Sequence, residues 1–168
     1  MESVTCVSSA QSTDAAELAA VAADTFPLAC PPSVAPENVA SFIDANLSQV
    51  RFTEYLTDPQ RTILAAKQND RIVGYAMLIR DADDDRVELS KMYVLPDQHG
   101  SGVATALMGA ALAAAAESGA ESVWLGVNQN NQRAQRFYTK CGFTVTGTRT
   151  FQLGPHTEHD YVMVRAMQ

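Results

Sequence analysis

Between Arg86 and Val127 the spacing of apolar residues switches from that of a strand to that of a helix and back. Arg86–Leu95 carries Val87, Leu89, Met92 and Val94 and reads as a strand. A loop with glycines at 100 and 102 leads into an alanine-rich helix, Val103 to about Ser118. Gly119 then stands where a helix C-terminus favours glycine. Ser122–Val127 reads as a short buried strand. A strand, a helix and a strand in succession need a crossover connection, which makes the two strands parallel neighbours.

The surrounding segments pair differently. Arg61–Lys67 and Ile72–Arg80 are strands joined by the polar turn Gln68-Asn69-Asp70 and form an expected hairpin. Asp81, Asp83, Asp84 and Asp85 make the next turn. Gln132–Lys140 is a helix closed by Gly142, and Phe143–Leu153 and Tyr161–Ala166 are a second hairpin. Ahead of these lie a short strand around Val4–Val7 and a helix from Asp14 to about Thr25, with Glu17 at capping-box spacing. Pro27, Pro31, Pro32 and Pro36 crowd the following loop. Pro36 opens a helix with Val39, Phe42, Ile43 and Leu47 at helical spacing, and a shorter helical piece with Phe52, Tyr55 and Leu56 stops before Pro59. No repeat or linker divides the chain, so residues 1–168 are expected to be a single domain. The fold class is α/β in the α+β sense, a mixed and mostly antiparallel sheet with helices on its faces.

Charge and cysteine usage narrow the partners. Nineteen acidic and 12 basic side chains leave a net charge of −7. A nucleic-acid binder needs a basic face, so none is expected, whereas a cationic small molecule or peptide suits the balance. No apolar run approaches the roughly 18–20 residues that span a membrane. The start, Met1-Glu2-Ser3-Val4, lacks the basic and apolar regions of a secretory signal. Cys6, Cys30 and Cys141 are far apart and read as reduced thiols of a cytoplasmic protein, not a disulfide framework. His156 and His159 fall in the last hairpin loop, too few for a ligand set, and no metal is expected.

The loop Leu95-Pro96-Asp97-Gln98-His99-Gly100-Ser101-Gly102-Val103-Ala104 carries the first chemical signal. Its glycines let backbone amides approach a ligand, and the helix that follows offers unpaired N–H groups and the positive end of its dipole. That is an anion site suited to a pyrophosphate. It lacks the third glycine of a dinucleotide fingerprint and the Gly-Lys-Ser/Thr of a P-loop.

This loop resembles the cofactor motif Gln/Arg-x-x-Gly-x-Gly/Ala of the GCN5-related N-acetyltransferases, with His99 at the first position, Gly102 at the fourth and Ala104 at the sixth. His99 departs from the usual Gln or Arg. Asn131-Gln132-Arg133-Ala134-Gln135-Arg136-Phe137-Tyr138-Thr139-Lys140-Cys141-Gly142-Phe143 resembles the family's second signature, in the expected order. A finer resemblance, in Glu88–Val94, Trp124–Val127 and Thr146-Gly147-Thr148, is to the PaiA-type branch, whose members acetylate spermidine and spermine. The resemblance implies a central sheet of about seven strands, acetyl-CoA as co-substrate and a small-molecule amine as acceptor. It leaves open a protein N-terminus or lysine as acceptor, a non-catalytic CoA-binding module, and a homodimer.

It also implies roles. Tyr138 would be the general acid that protonates the departing thiolate, and Glu88, eleven residues before His99 (99 − 88 = 11), the base. Met92, Tyr93 and Val94 would present backbone groups to the acetyl and pantetheine portions. His99, Gly100, Ser101, Gly102, Val103, Ala104 and Thr105 would hold the pyrophosphate. Asn131 would cap its helix and bond the pantetheine, and Lys140 would reach the phosphates, though Arg133, Arg136 and Lys140 also read as a solvated helix face. Gly126 interrupts its strand, as a bulge or a close approach would require. None of the cysteines is placed as a nucleophile, so a direct ternary-complex attack is expected. The Asp81–Asp85 turn reads first as a solvated loop; if the acceptor is a polyamine, the turn, at the Glu88 end of the sheet, would attract its distal ammonium groups.

Overall fold

The computed structural model describes residues 4–81 and 83–167. The reading of residues 1–3 lies outside them. Seven strands, β1 (Cys6–Ser9), β2 (Arg61–Gln68), β3 (Arg71–Arg80), β4 (Arg86–Val94), β5 (Ser122–Asn128), β6 (Thr144–Leu153) and β7 (His156–Ala166), form one sheet in the order β1-β2-β3-β4-β5-β7-β6. Neighbours pair antiparallel except β4 and β5, the strands joined by the crossover. The helices are α1 (Ala15–Ala29), α2 (Pro36–Asn46), α3 (Gln49–Thr57), α4 (Val103–Glu117) and α5 (Gln132–Lys140).

Two adjacent residues of β3 show that both faces are covered. A side chain at Gly74 would meet Leu107 of α4. Tyr75, pointing the opposite way, is fully buried against Phe52 of α3 at 5.5 Å between rings. The α4 core stripe, Val103, Leu107, Met108, Ala111 and Ala115, mixes small and large residues, so this helix lies close on the sheet. The β2–β3 turn places Asn69 and Asp70 at φ 52° and 64°, the left-handed pair that a two-residue hairpin turn requires.

Several boundaries differ from the sequence expectation. Strand β1 begins at Cys6 rather than Val4, because Cys6–Ser9 are the residues that pair with β2. The first helix does not start with an Asp14–Glu17 box. Asp14 instead accepts from the Gln11 amide at 2.8 Å and pairs with Lys67, while Glu17 reaches across to accept from the Ile72 amide at 2.7 Å. Helix α1 also continues past Thr25 through Pro27, since a proline in the last turn sacrifices one bond without ending the helix. The extra turn stacks Phe26 on Phe42 at 4.7 Å. Strand β7 starts at His156, not Tyr161: Gly154, at φ 64°, turns the chain within Gly154-Pro155, and pairing with β6 runs unbroken from Leu153↔His156 to Thr148↔Tyr161. His156 and His159 therefore lie on a strand and not in a loop.

Candidate active site

The β4–β5 pairing spans Arg86↔Ser122, Val87↔Val123 and Glu88↔Trp124. Beyond Glu88 the two strands diverge. Strand β4 also bulges at Ser90, where the register against β3 jumps from Met77↔Lys91 to Leu78↔Leu89. The divergence opens a cleft of about 650 Å³ walled by β4, the loop before α4, β5, α5 and the end of α1.

The cleft wall from β4 is backbone. The Leu95 amide bonds the Val73 carbonyl at 2.9 Å, so by the alternation of an antiparallel ladder Val94 and Met92 turn their N–H and C=O groups toward β5, and Tyr93 turns its own toward β3. At the far end Gly100 and Gly102 have φ of 85° and 90°, and a Cβ at either position would meet nothing within 4 Å. The first helical bond of α4 runs from the Ala106 amide to the Gly102 carbonyl, which leaves the amides of Val103, Ala104 and Thr105 without helical partners. Open backbone donors at a helix start fit the anionic end of a CoA-type ligand. Ser101 is exposed and outside the cleft lining, its amide and hydroxyl both bonded to the Gln98 carbonyl. The Val103 side chain belongs to the core.

His99 uses its side chain. Arg133 can only donate, so Nδ1 accepts from Arg133 Nη1 at 2.7 Å and Nε2 carries the proton to the Val94 carbonyl at 3.0 Å. Asn131 caps α5, its Oδ1 accepting from the Ala134 amide at 3.1 Å, and lines the cleft. Tyr138 also lines it, packed edge-on against the buried Phe143 at 6.0 Å. Burial pushes the Tyr138 hydroxyl up to about 12, with a smaller contribution from Cys141. Lys140 and Arg136 stay exposed outside the cleft lining.

Glu88 lies just behind the cleft wall. Beside it is Arg149 of β6, which lines the cleft; its Nη1 is 3.9 Å from Glu88 Oε2 and its Nε donates to Asp160 Oδ2 at 3.2 Å. Asp160 and Glu158 of β7 are buried carboxylates in the cleft wall. Glu158 is 3.2 Å from His156 Nε2 and accepts from Asn128 Nδ2 at 3.5 Å. Burial raises the Asp160 carboxyl, and Arg149 opposes that rise. Lys91 shares this region; burial and the nearby Arg61 lower its amine to about 8, with Glu88 acting the other way. Cys30 also reaches the wall, but burial and then Glu158 push its thiol up to about 11, so it is no thiolate at neutral pH. In the sequence Arg149, Glu158, Asp160 and Lys91 carry no assigned role, and Cys30 reads only as a reduced thiol. Asp81, Asp83, Asp84 and Asp85 are outside the cleft lining; Asp81 accepts from the Asp83 amide and Asp84 from the Arg86 amide at the start of β4.

The model of the acetyltransferase (GNAT) family matches residues 23–143. The chain belongs to this family. It is 70% identical to an uncharacterized N-acetyltransferase of Mycobacterium tuberculosis (strain ATCC 25618 / H37Rv) over 155 residues, 92% of this chain and 99% of the relative. An uncharacterized N-acetyltransferase of Lactobacillus delbrueckii subsp. lactis is 24% identical over 92% of each chain. The fold is that of the PaiA N-acetyltransferase from Thermoplasma acidophilum, solved in complex with coenzyme A: TM-score 0.85, 20% identity, 98% and 99% of the two chains covered. A GNAT chain is an N-acetyltransferase that draws on acetyl-CoA. Among the described residues no helix is long and apolar enough to cross a membrane, and no group of His, Cys, Asp and Glu is placed to hold a metal ion.

Proposed function

We propose that this GNAT enzyme acetylates a primary amine of a small polycation, spermidine or spermine being the preferred acceptors, by direct attack within a ternary complex. The observation that carries the acceptor class is the pair of buried carboxylates, Glu158 and Asp160, in the wall of the cleft. Arg149 pairs with Asp160 and not with Glu158, so this part of the wall keeps an acidic excess that a polyamine's further ammonium groups would offset. The likeness of Glu88–Val94 and Trp124–Val127 to the PaiA-type branch points the same way.

Acetyl-CoA would supply the thioester carbonyl. The chain supplies the rest. A free alkylamine has a pKa near 10.4, so reaching its neutral form at pH 7 costs roughly 4.6 kcal/mol. Glu88 receives that proton, through water, since it sits behind the wall. Tyr138, a neutral phenol with a raised pKa, donates to the departing sulfur. The backbone of Met92 and Val94 orients the acetyl and pantetheine groups, and the amides of Gly100 and Gly102–Thr105 hold the pyrophosphate. Cys30, held as a thiol, is not poised to attack the thioester, which supports direct transfer.

The test is thiol release from acetyl-CoA against a panel of amines and peptides. Turnover with spermidine and spermine is expected, and Glu158→Gln and Asp160→Asn should raise the amine KM while leaving acetyl-CoA affinity unchanged. Turnover with peptides alone would overturn the polyamine acceptor. Tight CoA binding without turnover of any amine would overturn catalysis.

A further inference from the structure

Arg149 occupies an unusual seat. It rises from β6, opposite Asp160 of β7, and reaches over β7 to lie on Gly126 of β5. A Cβ at position 126 would fall within 3.0 Å of three atoms of the Arg149 side chain, so the strand carries glycine where this side chain lies. The guanidinium also stands 5.5 Å from the centre of the Trp124 ring. Trp124 and Glu88 are the last paired residues before β4 and β5 part, which puts the cation at the apex of the cleft.

We propose that Arg149 is a positioning residue for the transfer reaction: seated on Gly126, it pairs with Glu88 and Asp160 at the cleft apex and holds them in place while the acceptor nitrogen is deprotonated. The inference rests on the acetyl-transfer reading with Glu88 as proton acceptor. Arg149 lines the cleft, and Glu88, outside the lining, lies 3.9 Å from its guanidinium. A guanidinium stays charged at every working pH. An opposite charge at this range favours the ionised form of a carboxylate. It also disfavours a second cation at the apex, so the reacting nitrogen arrives more readily as the neutral amine.

The other ionisable groups around the apex are few. From β7 come Glu158 and His159 beside Asp160; from β4 come Arg86, which also faces Trp124, Lys91 near Glu88, and Tyr93. Cys30, just after α1, and Tyr138 of α5 complete the ring around Tyr93. Of these, Asp160 and Glu88 are the two that ion-pair with Arg149.

The experiment is the pH profile of kcat/KM for whichever amine the wild type turns over, with acetyl-CoA affinity measured alongside. Arg149→Gln should move the acid limb up by about one pH unit, so that the rate on that limb falls about tenfold, with acetyl-CoA affinity unchanged. Gly126→Ala, which evicts the guanidinium and leaves Arg149 in the chain, should move the limb the same way. Arg149→Lys should keep the limb near its wild-type position. A limb that stays put in Arg149→Gln and Gly126→Ala, whatever the overall rate, overturns the proposal. Should Arg149→Gln fail to fold, Gly126→Ala decides alone. Wild-type turnover confined to peptides would overturn the polyamine acceptor and not this role, which is then read on the peptide. A wild type that turns over nothing overturns both.

Discussion

The guanidinium of Arg133 donates to Nδ1 of His99 at 2.7 Å, and this fixes the imidazole so that Nε2 donates to the Val94 carbonyl. One side chain thus ties the first turn of α5 to the end of β4 across the mouth of the cleft. Both residues are exposed, so each bond is worth about 1 kcal/mol or less. His99→Ala should raise the KM for acetyl-CoA about fivefold, the equivalent of about 1 kcal/mol, with kcat at saturation little changed. His99→Gln restores a donor for Val94 and an acceptor for Arg133 and should recover most of the loss. Equal KM values for wild type and His99→Ala would show that the bridge does not organise the cofactor end.

Tyr138 offers a test with a pH signature. Burial pushes its hydroxyl up to about 12, so it stays protonated, and able to donate, through the whole alkaline range in which enzymes are assayed. An acid with an ordinary pKa near 10 would lose its proton by pH 10 and bring kcat down with it. The wild type should therefore show no alkaline fall in kcat below about pH 11 from this group. Tyr138→Phe should lower kcat by about 100-fold, a typical share for a general acid, and leave acetyl-CoA affinity within about twofold. A fall in kcat centred near pH 10, or an undiminished rate in the phenylalanine variant, would remove Tyr138 from this role.

What could be read from the sequence was local. The glycine loop before α4 and the cap of α5 are set by residues a few positions apart, a glycine at positive φ or an asparagine three before the amide that donates to it, and both have the local geometry that the spacing predicts. The carboxylate side of the cleft was not legible for a physical reason. Residues 156–160 do alternate, with Glu158 and Asp160 buried and Thr157 and His159 exposed, but the inward positions are acidic. A hydrophobic pattern cannot announce a strand whose buried face is charged, and the segment read as loop. Arg149 on Gly126 depends on the β5-β7-β6 strand order, which brings together residues 23 apart in the chain (149 − 126 = 23). Glu17 was assigned to a local cap and instead satisfies the Ile72 amide, a contact between α1 and β3.

Two glycines of one helix should respond in opposite directions to the same substitution. Gly102, the N-cap of α4, sits at φ 90°, and an alanine there meets no neighbour, so its cost is purely that of the left-handed backbone, about 1–2 kcal/mol. Gly109 is exposed in the middle of the same helix with equally open space. There alanine restricts the unfolded chain and should stabilise by roughly 0.5–1 kcal/mol. Thermal unfolding should show Gly102→Ala lowering Tm by a few degrees and Gly109→Ala raising it. Gly102→Ala should also weaken acetyl-CoA binding, and Gly109→Ala should not. Matching shifts in Tm would mean that φ at Gly102 relaxes without cost.

Lys91 gives a stability prediction with a defined pH window. Its amine is lowered from 10.5 to about 8, chiefly by burial, with Arg61 adding to the effect. Below pH 8 the folded and unfolded chains both carry the proton, and the cost of burying that charge is fully present. Between about pH 8 and 10.5 the folded protein has released it and the unfolded chain has not. The unfolded state then binds more protons, so this residue's contribution to stability rises with pH across that window. Lys91→Met removes the charge and keeps the length of the side chain against Tyr55, whose ring centre lies 6.0 Å from the amine. The variant should be more stable than wild type at pH 7, by roughly 1–2 kcal/mol, a usual gain when an apolar side chain replaces a buried ion. That advantage should shrink as the pH rises from 8 toward 10, and urea unfolding at pH 7 and pH 9.5 would measure it. A variant less stable at pH 7, or an advantage that does not change with pH, would mean that Glu88 and the Tyr55 ring already offset the burial of this charge.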